Sequence, residues 1–197
     1  MISEARPKRD LEAYGLLLAS WNKKRNLISR NQTKNIEEHL VDSLSVSNLL
    51  GKNIMDLGSG GGLPGIPLAI YNPQKNIYLV ERNEYKASFL LHVITKLKLK
   101  NTKVIQGRSE DLKAADFPMP LEIVTRAFGS PKKAIEATSG ILESPQSCLK
   151  MMKTEPLEGA EDLPGGYKIE KIENIETKEK DKKRILVTIG CIKRCTQ

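Results

Sequence analysis

The sequence has little cysteine, little histidine and no long apolar run. Its 197 residues include three cysteines and two histidines. A sparse, odd cysteine count argues against a disulfide framework and favours a reducing compartment. Cys191 and Cys195, four positions apart, are better explained as ordinary thiols than as zinc ligands, so we expect no metal site.

Membrane-spanning and secretory segments are also missing from the pattern. No apolar run approaches the roughly 20 residues that a membrane span needs. The first ten residues, MISEARPKRD, lack the apolar core of a signal peptide. We therefore expect a cytoplasmic protein without membrane association. We also expect a monomer.

Basic residues exceed acidic ones, which gives a formal net charge of +8 and a pI near 9.3. Hydrophobic residues make up 39% and charged residues 28% of the chain, as in a globular protein. The basic surplus favours a polyanionic partner such as nucleic acid. A basic surface that serves only solubility is the alternative.

The first 50 residues show helical periodicity and no strand. Leu11, Tyr14, Leu18 and Trp21 recur at spacings of three and four, which predicts one helix. A second helix is predicted over residues 33–50. We interpret residues 1–50 as a helical cap and residues 51–197 as one compact α/β domain.

Short apolar strands alternate with helices through the middle of the chain. This alternation predicts a doubly wound, mostly parallel sheet. Five such strands are predicted at residues 53–57, 77–80, 102–106, 121–125 and 147–153, with helices at 64–71, 85–99 and 131–142. Two further strands, 167–175 and 184–189, are predicted to form an antiparallel pair at the end of the sheet.

A glycine-rich turn follows the first strand. Asp56 precedes Gly58, Gly60 and Gly62, and an apolar segment beginning Leu63-Pro64-Gly65 comes next. The Lys-Ser/Thr pair of a P-loop is missing after the last glycine. The spacing is G-x-G-x-G rather than the G-x-G-x-x-G of dinucleotide sites, and it resembles the first motif of S-adenosylmethionine-dependent methyltransferases.

Carboxylates and a hydroxyl follow the next two strands. Glu81 ends the second strand, where a carboxylate can accept hydrogen bonds from two ribose hydroxyls. Ser109 and Glu110 follow the third strand, in the position that flanks an adenine in the resembled fold. Since the carboxyl ends of parallel strands share one edge, these residues predict a crevice for an adenosyl or an NAD ligand.

The longer sequence DLGSGGGLPGIPLAI is similar to the cofactor loop of the ribosomal small-subunit RNA guanine-N7 methyltransferases (RsmG, also called glucose-inhibited division protein B). Three other stretches resemble the same family: Trp21-Asn22-Lys23, residues 39–44 and Thr125-Arg126-Ala127-Phe128. The resemblance covers roughly residues 11–189. It implies a class I, Rossmann-like methyltransferase fold, S-adenosylmethionine as donor, and a guanine N7 of 16S ribosomal RNA in the small subunit as acceptor.

The resemblance also assigns roles to residues. It places the donor against Asp56, Gly58, Gly60, Gly62 and Leu63, with Glu81 on its ribose and Ser109 and Glu110 by its adenine. Arg126 becomes a donor-pocket or active-site residue; a salt-bridged strand end is the alternative. Candidate RNA contacts are basic: Lys23, Lys24, Arg25, Arg30, Arg108, Lys132, Lys133 and Lys153.

Two positions depart from the family pattern. Glu38 stands where the family has an arginine before the helical histidine, and Glu81 stands where an aspartate is more common. The second change keeps the carboxylate. His39 is interpreted as a helix histidine that pairs with Asp42 on the same face.

Guanine N7 carries a lone pair and no proton, so its methylation needs no general base. Positioning and water exclusion can supply much of the acceleration. Two rival functions stay open on the residues alone: an NAD-dependent oxidoreductase, for which no Tyr-x-x-x-Lys or His/Asp pair is found, and a non-catalytic RNA-binding protein on the same fold.

Overall fold

A computed structural model describes residues 5–157, 159, 162–176 and 183–192, without the side chains of residues 30 and 31. In this part of the chain, seven strands form one sheet in the order β3-β2-β1-β4-β5-β7-β6. The strands are β1 (Asn53–Leu57), β2 (Asn76–Glu81), β3 (Thr102–Gln106), β4 (Leu121–Arg126), β5 (Ser147–Thr154), β6 (Tyr167–Ile175) and β7 (Arg184–Cys191).

The sheet is parallel from β3 to β5, and β7 is antiparallel to both β5 and β6. The mostly parallel sheet with an antiparallel C-terminal pair is therefore confirmed. The chain reverses its winding between β1 and β4, which are neighbours. In doubly wound sheets a crevice opens at this switch point, outside the carboxyl ends of the strands.

Helices cover the two faces of the sheet. They are α1 (Ala5–Asn22), α2 (Arg30–Lys34), α3 (Ile36–Leu44), α4 (Gly65–Tyr71), α5 (Glu84–Leu97), α6 (Pro131–Ala137) and α7 (Ser139–Leu142). The single helix predicted over residues 131–142 is wrong, because it is interrupted at Thr138. The Thr138 backbone leaves the helical region at φ −127° and ψ 13°, and its hydroxyl donates to the Ala134 carbonyl.

The prediction of one helix over residues 33–50 is also wrong. Helix α2 begins earlier, where Ser29 and Gln32 form a reciprocal capping box. Asn35 then separates α2 from α3 with φ −130° and ψ 44°, and a short 3₁₀ turn follows at Ser47–Leu49. Asparagine readily leaves helical geometry because its side chain competes for backbone hydrogen bonds.

The N-terminal helices share their hydrophobic core with the sheet. Tyr14, Leu18, Leu27 and Ile28 are buried in the same cluster as residues of β1, α4 and α5. The Tyr14 hydroxyl donates to the Gly61 carbonyl over 2.5 Å. The cap thus packs directly on the glycine-rich turn.

A buried carboxylate fixes the start of α4. Asp56, at 1% exposure, accepts a hydrogen bond from the Gly65 backbone N–H at 2.9 Å. A Cβ on Gly65 would lie 2.3 Å from the Leu79 side chain and 2.6 Å from the Asp56 carboxylate. The first turn of α4 can therefore approach β1 and β2 only because residue 65 is glycine.

The Gly65→Ala substitution tests this close approach. The added methyl must displace backbone or core atoms, so we expect the free energy of unfolding to fall by about 2–3 kcal/mol, as for overpacked cores. The matched control is Gly165→Ala, since a Cβ at Gly165 meets no atom within 4 Å. Urea unfolding of both variants checks the prediction, and equal midpoints for the two variants would contradict it.

Asp56 also predicts a pH dependence of stability. Burial raises the pKa of Asp56 to about 7, while the Gly65 N–H bond and the Arg126 charge oppose that rise. Between its unfolded value near 3.9 and about 7, the folded state binds the proton more tightly, so ionisation costs the folded state stability as pH rises. We expect Asp56→Asn, which can still accept from Gly65, to gain stability relative to the wild type across that interval.

The difference should level off above about pH 7. Urea unfolding at a series of pH values measures it. A stability difference that stays constant from pH 4 to 8 would show that Asp56 ionises normally in the folded protein.

Candidate active site

A cavity of about 690 Å³ opens at the carboxyl ends of β1 to β4. Strand ends and loops of the crevice supply its walls. The lining residues are Leu57, Gly58, Val80, Glu81, Arg82, Lys86, Gly107, Arg108, Ser109, Glu110, Ala127, Phe128, Lys133, Glu136 and Ala137. We call this the principal cavity.

Backbone without side chains forms part of its floor. Gly58 has φ +68°, and a Cβ there would lie 3.0 Å from the Phe128 ring. Gly107, after β3, has φ +157° and no atom within 4 Å of a Cβ position. The Phe128 ring can therefore pack directly on the main chain at Gly58 only because residue 58 has no side chain.

Glu81 lies at the end of β2, and both of its carboxylate oxygens accept hydrogen bonds from backbone N–H groups. Oε2 accepts from the Gly60 N–H at 2.9 Å, and Oε1 accepts from the Asn83 N–H at 2.8 Å. The side chain is 7% exposed and lines the principal cavity. These two bonds hold the carboxylate in one orientation, and each oxygen keeps a further lone pair for a ligand hydroxyl.

Ser109 and Glu110 also line the principal cavity and belong to the 3₁₀ turn Ser109–Asp111. Ser109 is buried and its hydroxyl donates to Glu110 over 3.3 Å. The Arg108 guanidinium lies 3.2 Å from the Glu110 carboxylate. Hydrogen bonds from its own backbone N–H, followed by the Arg108 charge, lower the pKa of Glu110.

Five residues predicted to bind the donor do not line the principal cavity: Arg126, described below, and four residues of β1 and the glycine-rich turn. Asp56 faces the start of α4, as described above. A Cβ on Gly60 would lie 3.8 Å from the Leu27 carbonyl oxygen, and a Cβ on Gly62 would lie 2.6 Å from the Ile66 side chain. Leu63 is buried in the core beneath the cap. The turn thus supplies Gly58 to the cavity, while Asp56, Gly60, Gly62 and Leu63 support it from behind.

Arg126 forms a salt bridge at the end of β4, and its role in the donor pocket or active site stays a prediction. Its Nη1 lies 3.1 Å from Asp42 Oδ2, and the Arg184 Nε lies 3.5 Å from the other carboxylate oxygen. Asp42 therefore has two arginine partners. Burial lowers the pKa of His39, the predicted partner, and the Asp42 charge acts against that lowering. The ion pairs tie α3 of the cap to the ends of β4 and β7.

A second cavity of about 240 Å³ adjoins this cluster. Its wall shares Ala127 with the principal cavity. Ala127 has φ +61°, an uncommon conformation for a residue with a Cβ. Arg126 and Lys153 line the second cavity, together with Gln32, His39, Ala127, Met152, Thr154 and Arg184.

The remaining basic candidates lie on the surface around these openings. Arg108 and Lys133 line the principal cavity, and Lys132 is exposed on α6. Lys23, Lys24 and Arg25 are exposed after α1, with Arg25 stacked 5.0 Å from the Tyr85 ring centre. The Arg30 side chain lies outside the described part of the structure, and Glu38 is exposed on α3.

Phe128, Ala127, Arg82 and Lys86 are cavity residues that sequence reasoning did not select. Both Phe128 and Ala127 belong to the stretch Thr125-Arg126-Ala127-Phe128, in which the family resemblance assigns a role to Arg126 alone. The aromatic ring beside it is the one that covers Gly58.

Comparison with known proteins gives a family match over most of the chain. A family model described as rRNA small subunit methyltransferase G (GidB) matches residues 7–187. The ribosomal RNA small subunit methyltransferase G of Marinobacter nauticus is 33% identical over 189 residues, which cover 95% of this chain and 87% of the relative. That of Pseudomonas aeruginosa is 37% identical over 171 residues, covering 85% and 78%.

Solved structures share the fold at low identity. A SAM-dependent methyltransferase from Aquifex aeolicus aligns with TM-score 0.55 at 17% identity, over 79% of this chain and 92% of that one. TrmK of M. capricolum, solved with S-adenosyl-homocysteine, aligns with TM-score 0.52 at 15% identity, over 76% and 67%. With the family model matching residues 7–187 of a class I methyltransferase fold, this chain belongs to the rRNA small subunit methyltransferase G family.

Proposed function

We propose that this protein transfers the methyl group of S-adenosylmethionine to a guanine N7 of 16S ribosomal RNA. One observation carries the proposal: in a chain of this family, the switch-point crevice holds a cavity with a glycine floor and an oriented carboxylate. The nature of the acceptor atom rests on the family resemblance and on the basic charge of the chain.

The principal cavity fits the donor in size and in chemistry. Its volume of about 690 Å³ lies in the roughly 300–1,000 Å³ range of small-molecule sites. Gly58 and Gly107 line it with main chain alone. Glu81 is oriented to accept hydrogen bonds from vicinal hydroxyls such as those of a ribose.

When bound, S-adenosylmethionine supplies a methyl group activated by a positively charged sulfur. Glu81 would hold its ribose, and Ser109 with Glu110 would flank its adenine. Phe128, which packs on Gly58 in the cavity wall, would shield that side of the ligand from water. No residue has to remove a proton, since guanine N7 carries none, so these groups act by binding and orientation.

The basic residues around the openings would hold the RNA phosphates. Lys23, Lys24, Arg25, Lys132 and Lys133 are exposed, so each can form a phosphate contact without losing a buried partner. A strand that enters the crevice would have to expose its base, as single-stranded RNA segments do.

We also propose that the protein is a cytoplasmic monomer. Of the helices that the structure describes, none has the length and apolar character of a membrane span. The division into a cap of residues 1–50 and a domain of residues 51–197 stays a prediction.

The activity is tested on the RNA itself. Purified protein with tritiated S-adenosylmethionine should label 16S RNA or small subunits from cells that lack the gene, and the label should be recovered as N7-methylguanine. RNA from wild-type cells is the control, since its site is already occupied and should accept little label. Binding of NAD without methyl transfer would support the oxidoreductase, and RNA binding without transfer would support the non-catalytic alternative.

Glu81→Ala tests the donor site. Losing charge-assisted hydrogen bonds worth about 1.5–3 kcal/mol should weaken S-adenosylhomocysteine binding about ten- to hundredfold. Glu84→Ala, an exposed carboxylate in the first turn of α5, is the matched control and should bind normally. Isothermal calorimetry measures both affinities, and unchanged binding in Glu81→Ala would remove this residue from the site.

A further inference from the structure

The basic surplus of the chain is concentrated in two segments. Residues 13–36 contain five lysines and arginines, residues 85–109 contain six, and neither segment contains an aspartate or a glutamate. Since the whole chain carries a net charge of +8, the remainder has more acidic than basic residues. The first segment includes the second half of α1 and all of α2, and the second includes most of α5 and all of β3.

The two segments pack against each other through an aromatic cluster. Trp21, in the last turn of α1, has three ring neighbours on α5. Its ring centre lies 5.5 Å from that of Tyr85, and 5.3 Å from those of Phe89 and His92. The three partners follow one another at spacings of four and three, so they share one side of α5. We call residues 21–25 together with this side of α5 the aromatic–basic face.

Part of the cluster is open to solvent. Phe89 is buried, whereas Trp21 and Tyr85 are half-buried and His92 is exposed. Arg25 is exposed after the end of α1, and its guanidinium lies over the Tyr85 ring, 5.0 Å from the ring centre. Because a guanidinium is planar, the side turned away from Tyr85 offers a flat cationic surface.

The charges around the cluster are not compensated by acidic side chains. Within the part of the chain that the structure describes, no carboxylate forms an ion pair with Lys23, Lys24 or Arg25. Lys96 follows His92 by one turn of α5 and is exposed as well. Exposed cations that share one face and lack acidic partners attract a polyanion.

The aromatic–basic face begins beside the principal cavity. Lys86, next to Tyr85 in α5, lines that cavity, and α5 is 14 residues long, or about 21 Å. Under the proposed function, an RNA strand whose acceptor base lies in the cavity can place neighbouring nucleotides on this face. An acidic protein would use the charges alone, whereas unpaired bases also use flat rings and guanidinium groups for stacking.

We propose that the aromatic–basic face is a docking surface for unpaired RNA outside the methyl-transfer site. A base stacks on the outer side of the Arg25–Tyr85 pair. Lys23, Lys24 and Lys96 hold the neighbouring phosphates. This inference rests on the proposed function for the choice of RNA as the partner, and the stacking surface itself follows from the cluster.

The intrinsic fluorescence of the protein provides the first test. Trp21 is the single tryptophan of the chain, so the signal comes from this face alone. A single-stranded RNA oligomer should quench it, because bases stack beside the cluster, whereas an abasic oligomer with the same number of phosphates should quench it much less. Equal quenching by the two oligomers, or none by either, overturns the proposal.

Arg25→Lys separates stacking from charge, because lysine keeps the charge and lacks the planar group. Its affinity for the RNA oligomer should fall about tenfold, as for one lost stacking contact, with the slope of log affinity against log salt concentration unchanged. Lys24→Gln should instead make that slope less steep by about 0.7, the value of one single-strand phosphate contact. Both side chains are exposed, so neither change disturbs the core.

Arg9→Lys, in an exposed part of α1 away from the cluster, is the matched control and should bind like the wild type. Fluorescence anisotropy of a labelled oligomer measures all four affinities. An Arg25→Lys protein that binds RNA as tightly as this control overturns the stacking role.

These readouts separate the docking surface from the proposed function. The described residues that line the principal cavity do not include Arg25, so Arg25→Lys should bind S-adenosylhomocysteine normally. A protein that transfers no methyl to 16S RNA, yet shows base-dependent quenching and weaker RNA binding in Arg25→Lys, would contradict the function and keep the surface. A protein that methylates normally and shows neither effect would do the reverse.

Discussion

The packing of the N-terminal helices on the glycine-rich turn is the constraint on which the rest of the structure depends. The Tyr14 hydroxyl donates a hydrogen bond to the Gly61 carbonyl. The side chains of Leu18 and Ile28 occupy the space into which a Cβ at position 61 would project. A turn of this kind has little conformational preference of its own, because glycine is freer than other residues. The cap supplies the missing restriction, and Gly58 is thereby presented to the principal cavity in one conformation.

A buried carboxylate acts on each side of this turn. Asp56 connects β1 to the first N–H of α4, and Glu81 connects β2 to Gly60. The two acids differ in environment: Asp56 is enclosed by the core, whereas Glu81 borders the cavity. Burial raises the pKa of Asp56, which supports the turn from the core. Glu81 lines the cavity, where it can accept a hydrogen bond from a ligand.

Asp42 connects the cap to the sheet at a different place. Its ion pairs with Arg126 and Arg184 join the cap to β4 and β7. Removing Asp42 would leave both arginines without this carboxylate, and because the Arg126 side chain is only 7% exposed, the loss should cost the folded state more than the loss of a surface pair would. The same contacts that attach the cap also set the walls of the second cavity.

Much of the fold was predictable from local pattern. All seven strands fall at the predicted places because each is a short apolar run bounded by turn residues, and Glu81, Ser109 and Glu110 come together because parallel strands end on one edge. The break at Asn35 was missed, since the apolar spacing continues through it. Asp56, Gly60, Gly62 and Leu63 lie behind the turn and not on the cavity wall, a placement that the spacing of the motif does not reveal, and their contact with the donor stays a prediction.

The second cavity could not be predicted in the same way. Its residues come from α2, α3, β4, β5, β7 and the loop after β4, and they meet only through tertiary packing. In sequence, His39 and Arg184 are far apart and belong to no shared motif. Their proximity depends on Asp42, whose partners were not evident from the helix on which it lies.

The close contact between the cap and Gly61 limits which residues can replace this glycine in evolution. A Cβ at this position would lie 2.8 Å from the Ile28 side chain and 3.0 Å from Leu18. A lineage could acquire a side chain here only by shrinking the cap residues opposite it at nearly the same time. Positions 61, 28 and 18 should therefore change together in evolution. They lie in three separate regions of the sequence, namely the glycine-rich turn, a connecting segment and α1.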